Sequence, residues 1–394
     1  MSGRIGGDGP AKKIIGLLLL AVMILLPIGL PLLSASTLSH SLEQPDLTTT
    51  IHSKSSATPD MLIVLSPQYA SDVDIITAIQ TYIDAVAADL QWELQLILLA
   101  PENNTVATLD HIIEEIALKT SLKACMMVGE DIATALGGYH ESMVKPSSIP
   151  WITLGGNTSY NLSPQGIICK LHTVDICVSL LYPTSTLEYA IKKTQLLEVF
   201  SRFSRQRNHT IHAPITVLES SDINRYSQQT YQSLSEMSTL WYQEDPTAEE
   251  VQQTRLQSHS GYFLHGHSNP SGTTVNASSG LWFSSELANQ IETPLMGIDG
   301  CYVNGWWSTD TPSEGTATPS CDLPWYGSVV FSNTHLQVMA LGLLSQQEGS
   351  SSVSFIENAL PDLLEGKTLA EAMIGDPFLT ETIIVGDPTF HFTL

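Results

Sequence analysis

Cys301 and the histidines of His265-Gly266-His267 are the residues of this chain whose types could do covalent chemistry. A cysteine thiolate beside an imidazole attacks carbonyl carbons, and the imidazole carries the proton. Both groups must sit on rigid backbone so that their geometry is set before substrate arrives. The apolar run Gly261-Tyr262-Phe263-Leu264 leads straight into His265, and Leu295-Met296-Gly297-Ile298-Asp299 leads into Gly300-Cys301. Each reads as a buried strand with the reactive residue at or just past its carboxyl end, where open α/β sheets gather functional groups. Gly266 and Gly300 let a substrate backbone approach closely and leave neighbouring amide N–H groups available to an oxyanion.

Other readings of the same residues are plainer. Cys301 could be a buried thiol or pair with Cys321. Two histidines one residue apart could hold a metal, but no third ligand of suitable spacing accompanies them, and no metal is expected. Ser268 and Ser271 lie outside any Gly-x-Ser-x-Gly elbow, which leaves a serine hydrolase unsupported. No phosphate loop appears.

The elements that must position this pair alternate. Met61–Leu65, Trp92–Leu99 and Ala124–Val128 read as strands, separated by helical stripes over Ile76–Leu90 and Leu109–Leu118. Val174–Leu181, Ile215–Leu218 and a stretch near Leu240 follow as strands, with helices over Leu187–Phe203, Asp222–Tyr231 and Thr247–Gln257. Helices are predicted at His335–Leu344 and Phe355–Leu364, and a last strand near Ile383–Val385. Strand–helix alternation predicts an α/β fold with a mostly parallel sheet between helices, divisible into halves near residue 185.

The chain has 394 residues, 43% hydrophobic and 14% charged, a globular profile. Its net charge of −24, with only 16 Lys and Arg, argues against a nucleic-acid partner. Arg4, Lys12 and Lys13 precede an apolar run from Ile14 to Leu33 and the small residues Ser34-Ala35-Ser36. This is the pattern of a signal peptide or N-terminal anchor, so a secreted or extracytoplasmic location is expected, with membrane contact only through that segment. Residues 1–36 form this segment, 37–58 a Ser/Thr-rich linker, 59–185 an N-terminal α/β subdomain and 186–394 the subdomain bearing the Cys–His pair. Export permits disulfides, and Cys169 with Cys177 is the nearest pair among five cysteines. Sequons stand at Asn103, Asn157, Asn161, Asn208 and Asn276.

The block Tyr262-Phe263-Leu264-His265-Gly266-His267-Ser268 resembles the His-Gly block of caspase-like peptidases. Ile298-Asp299-Gly300-Cys301-Tyr302-Val303-Asn304-Gly305 resembles the cysteine block of their gingipain branch. Val174 to Phe203, Glu365 to Ala372 and Val385-Gly386-Asp387-Pro388-Thr389 resemble further segments of that branch, so the likeness runs from about Met61 to the end. The resemblance implies a caspase-like three-layer α/β/α fold and a cysteine endopeptidase acting on peptides or proteins. Cys301 would be its nucleophile, and His265 its base, with His267 the alternative. The backbone amides of Gly266 and Cys301 would hold the oxyanion. It implies a carboxylate that orients the histidine, for which Glu130 and Asp131 at the third strand end are candidates. Trp306 and Trp307, just after the cysteine block, either pack in the interior or line a substrate pocket. The chemistry needs no cofactor, and although a structural calcium is compatible with it, no residue pattern marks a site.

Overall fold

The structure, a computed structural model, describes residues 51–52, 58–137, 145–147, 161–163, 166–168, 174–184, 186–222, 228–269, 272–300, 316–317, 326–342, 355–375 and 382–393. Cys301, Trp306, Trp307, Cys169 and the N-terminal apolar segment lie outside these residues. Among the described residues, no helix is long and apolar enough to cross a membrane.

One eleven-stranded sheet organises the molecule. Numbering its strands alone, these are β1 (Ile51–His52), β2 (Met61–Leu65), β3 (Leu94–Leu98), β4 (Ala124–Val128), β5 (Cys177–Leu181) and β6 (Ile215–Glu219). They continue with β7 (Leu240–Glu244), β8 (Gly261–His265), β9 (Leu295–Asp299), β10 (Val338–Gly342) and β11 (Ile383–Gly386). The spatial order is β1-β3-β2-β4-β5-β11-β10-β9-β8-β6-β7. Every residue of β2, β4, β5, β6, β8, β9, β10 and β11 is buried. Such continuous burial requires cover on both faces of the sheet, which is why these strands read as unbroken apolar runs rather than alternating ones.

Helices supply that cover. α1 (Val73–Leu90) starts where the Asp72 carboxylate accepts the amides of Asp74 and Ile75, and stops at Gln91 in the left-handed region (φ 59). A cap of this kind contributes about 1 kcal/mol. Its buried stripe is Ile75, Ile79, Tyr82, Ile83 and Val86. Tyr82 meets Phe200 and Phe203 of α3 (Tyr189–Arg205) at ring distances of 5.8 and 6.1 Å. The other helices used below are α2 (Val106–Ala117), α4 (Gln228–Met237), α5 (Ala248–Thr254) and α6 (Ser285–Ala288). A short α7 (Val329–Ser332) precedes β10.

The sheet changes direction once in its interior. β3, β2, β4, β5 and β11 are mutually parallel, as are β10, β9, β8, β6 and β7, but β10 pairs antiparallel with β11. Strands from 59–185 and from 186–394 therefore share one sheet, joined through β11, which runs with the first group. The carboxyl ends of β2 to β5 and β11 point to one edge, and those of β6 to β10 to the other.

Two local expectations change. The stretch 335–344 is not a helix: Val338–Gly342 is β10, a central strand buried at every residue. A five-residue apolar run fits both readings by composition, and pairing on both sides decides for the strand. Ile51–His52, within the stretch read as linker, pairs antiparallel with β3 at the sheet edge.

The closing Gly386-Asp387-Pro388-Thr389 is more than a turn. Gly386 has φ +120, and a Cβ there would lie 2.2 Å from the Gln337 carbonyl oxygen. Buried Asp387 accepts from Tyr82 Oη at 2.6 Å and from Arg207 Nη1 at 2.7 Å, while Arg207 Nε donates to Asp89 at 2.9 Å. The chain's last turn is thus tied to α1 and to the segment after α3.

Candidate functional site

β6, β8 and β9 each end in a polar residue after an apolar run: Leu218-Glu219, Leu264-His265 and Ile298-Asp299. The parallel register sets Glu219 opposite His265, and His265 opposite Asp299. Residues in register share a face, so three polar side chains stand in a row at one edge. All three are buried.

His265 Nδ1 lies 2.9 Å from Glu219 Oε1. The other carboxylate oxygen, Oε2, accepts Tyr231 Oη from α4 at 2.7 Å and Tyr242 Oη from β7 at 2.8 Å. Burial opposes ionisation of Glu219, but the bonds from His265, Tyr231 and Tyr242 outweigh it and hold the carboxyl below its usual range. Burial, then the same carboxylate, pushes both tyrosines well above their ordinary value, so each remains a donor. A carboxylate only accepts, so Nδ1 carries the ring proton and Nε2 is the nitrogen left for proton transfer.

His267 is placed differently. It is half exposed, at the start of a three-stranded hairpin (His267–Asn269, Gly272–Asn276, Leu281–Ser284), with Nε2 3.3 Å from Asp222 Oδ2.

Glycine is demanded here by close packing of the chain on itself. A Cβ on Gly266 would sit 2.0 Å from the Thr274 carbonyl oxygen, and one on Gly300 2.5 Å from that of Gly266. The Gly266 amide is not left open for an oxyanion: it donates to the Asp299 carbonyl at 3.1 Å, continuing the β8–β9 ladder. The partner amide expected at Cys301 lies outside the described residues.

Glu130 and Asp131 are not the orienting carboxylates. They follow β4, five strands from β8, about 24 Å away at ordinary strand spacing. Because the sheet reverses at β11/β10, they also lie at the opposite edge. Glu130 is instead buried against Lys192, Tyr69 Oη (2.9 Å) and Gln68 Nε2 (3.2 Å), and Asp131 Oδ2 accepts the Gln68 amide. The residue the sequence reading missed is Glu219, because the strand was ended at Leu218. The signal was present: an apolar run closing on a carboxylate, as β8 closes on a histidine.

Cys177 is a free, buried thiol on β5, pushed up to about 12 by burial; its expected partner Cys169 lies outside the described residues. Among the described residues, no group of three or more His, Cys, Asp or Glu could hold a metal.

The large, mostly parallel sheet and its helices define the caspase-like α/β fold seen in gingipains. Among solved structures, the chain is similar to the Arg-specific cysteine proteinase gingipain R (RgpB), with a TM-score of 0.54 and 12% identity, over 85% of this chain and 78% of that one. It is equally similar to the Porphyromonas gingivalis complex of RgpB pro- and mature domains: TM-score 0.54, 12% identity, 84% and 79% coverage. At that identity the likeness is one of fold. No protein-family profile and no curated protein matches the sequence.

Proposed function

We propose that this chain is an exported cysteine endopeptidase that cleaves peptide bonds with Cys301 as nucleophile and His265 as base. The observation that carries the reading is the Glu219–His265 couple at the carboxyl end of β8, in register with the strand that leads into Cys301. With Nδ1–H held by Glu219, Nε2 accepts the thiol proton, and Sγ attacks the scissile carbonyl carbon. The same nitrogen then returns the proton to the departing amine, leaving a thioester. A water molecule, deprotonated at Nε2, releases the acid product and restores the thiol. Chain connectivity favours the pairing, since Cys301 directly follows Gly300, and a Cβ on Gly300 would lie 2.5 Å from the carbonyl oxygen of Gly266. His267 lacks a buried orienting partner, which makes it the weaker base.

A catalytically inactive binding or adhesion protein on the same fold is the rival. One observation favours it: the Gly266 amide is engaged by Asp299. The test is to incubate the full chain with iodoacetamide and a mixed peptide library, beside Cys301→Ala, His265→Ala and His267→Ala. Fast labelling of Cys301 near neutral pH, with cleavage lost in Cys301→Ala and His265→Ala, supports the peptidase. A folded protein that cleaves nothing and whose Cys301 reacts like an ordinary thiol supports the rival.

A further inference from the structure

A cavity of about 540 Å³ lies between α3 and α7, ahead of the amino end of β10. That is the edge opposite His265. Its lining includes Arg202, Arg205, Gln206, Thr194, Ser201 and Thr334, with Glu198 at the same wall. In a chain with 16 basic and 40 acidic residues, two arginines converging on one cavity stand out.

Arg202 is the informative one. It is only 6% exposed, yet no carboxylate lies within ion-pair distance of it among the described residues. One of its guanidinium nitrogens, Nη2, donates to the Val330 carbonyl, and its buried Nε has no acceptor. A guanidinium has five N–H donors, so this one is far from satisfied. Burial draws its pKa down to about 10, partly offset by Glu198, so it remains charged at neutral pH. With only Glu198, beyond ion-pair distance, and the face of the Phe203 ring 5.6 Å away to offset it among the described residues, this buried charge is poorly compensated. A bound oxyanion would satisfy both the charge and the planar donor fork.

We propose that this cavity is a binding site for a small oxyanion, a carboxylate or phosphate group, held by Arg202 with Arg205 and the surrounding hydroxyls. Arg202 contributes the buried fork, Arg205 a second positive charge from the exposed side, and Ser201 and Thr334 further donors. Glu198, at the same wall, opposes anion binding rather than aiding it, so the arginines must outweigh it. The site is independent of the peptidase reading, because it lies at the other edge of the sheet and shares no residue with Glu219 or His265.

The full chain would be titrated with inorganic phosphate and, in parallel, with citrate, each against sodium chloride of matched ionic strength. Thermal unfolding and calorimetry are the readouts. Saturable stabilisation by at least one oxyanion, with one site per chain, is expected, since a ligand that binds only the native state raises the melting temperature. Binding should weaken at least tenfold in Arg202→Gln and remain in the surface control Lys119→Gln. Should Arg202→Gln fail to fold, Thr334→Glu tests the same point: its carboxylate would occupy the cavity, keep the fold and abolish the response. If neither phosphate nor citrate acts beyond chloride, or if Thr334→Glu and a folded Arg202→Gln keep the full response, the proposal is overturned. Preference for phosphate over citrate, or the reverse, identifies the group.

Discussion

Glu219 and His265 stand opposite each other in the β6–β8 register, and Oε1 to Nδ1 is 2.9 Å. The bond needs no loop to form it. Two parallel strands of five residues each, starting level at Ile215 and Gly261, deliver both side chains to the same edge and face. Two tyrosines from different elements then hold the carboxylate's second oxygen, so that rotation of Glu219 would break three bonds at once.

Glu219→Gln should therefore reduce peptide cleavage far more than it reduces stability. An amide presents a donor as well as an acceptor, and it no longer stabilises an imidazolium. The expected loss in kcat/KM is about 100-fold or more, in the range of general acid–base contributions, with the melting temperature moving by a few degrees. A variant with unchanged kcat/KM would remove Glu219 from the proposed machinery.

The tyrosines make a pH-dependent claim. Because the folded Glu219 carboxyl sits below its unfolded value, its contribution to stability is complete above the ordinary carboxylate pKa and is lost as pH falls through the folded value. Tyr231→Phe with Tyr242→Phe should cost about 3–6 kcal/mol at pH 7, two hydrogen bonds to a charged group. That difference from the parent should shrink as the pH is taken below about 4. Urea unfolding at several pH values measures it, and a pH-independent gap would contradict the assignment.

Gly300→Ala would force a Cβ to 2.0 Å from Ser268 Oγ and 2.5 Å from the Gly266 carbonyl oxygen. Backbone cannot yield as a long side chain can, so the ends of β8 and β9 must separate. The expected cost is about 1–3 kcal/mol, typical of overpacking, together with loss of cleavage. Retained Tm and activity would show that the two strand ends are less tightly joined.

Asp387→Ala removes the acceptor shared by Tyr82, Thr389 and Arg207, and leaves a nearly buried Arg207 with Asp89 as its one described carboxylate partner, besides its bonds to Thr389. Breaking a buried pair from one side typically costs about 3–5 kcal/mol, which chemical denaturation would register. A loss below 1 kcal/mol would mean that the closing turn is peripheral to stability.

Cys125 and Cys177 are buried on β4 and β5, and burial raises both thiols, Cys177 to about 12. Neither should react with iodoacetamide at pH 8 until the protein is unfolded, as peptide mapping would reveal. Their silence in the native state also keeps the labelling experiment on Cys301 readable. Rapid native labelling of either would mean that the sheet opens locally.

Much of the fold was legible because buried parallel strands carry a simple signature. Met61–Leu65, Ala124–Val128, Gly261–His265 and Leu295–Asp299 are unbroken apolar runs too short for helices, and each is a strand. Val338–Gly342 misled because it is flanked by residues that extend a helical pattern. Glu219 was overlooked because a carboxylate after an apolar run is ordinarily a solvated strand end. Glu219 closes its apolar run directly, whereas Glu130 stands after Gly129 beyond β4, but neither pattern says which histidine a carboxylate will meet.

By itself the sequence determined the residue types that can do chemistry, the strand ends that lead into them and an α/β class, since these follow from local pattern and side-chain chemistry. The caspase-like assignment came from the resemblance of its motif blocks to that family. Which carboxylate meets His265 was decided only by the tertiary structure. Strand order and direction are set by pairings between residues far apart in the chain. The antiparallel joint between β10 and β11 sends Glu130 to one edge of the sheet, and the parallel register of β6 with β8 brings Glu219 to the histidine at the other.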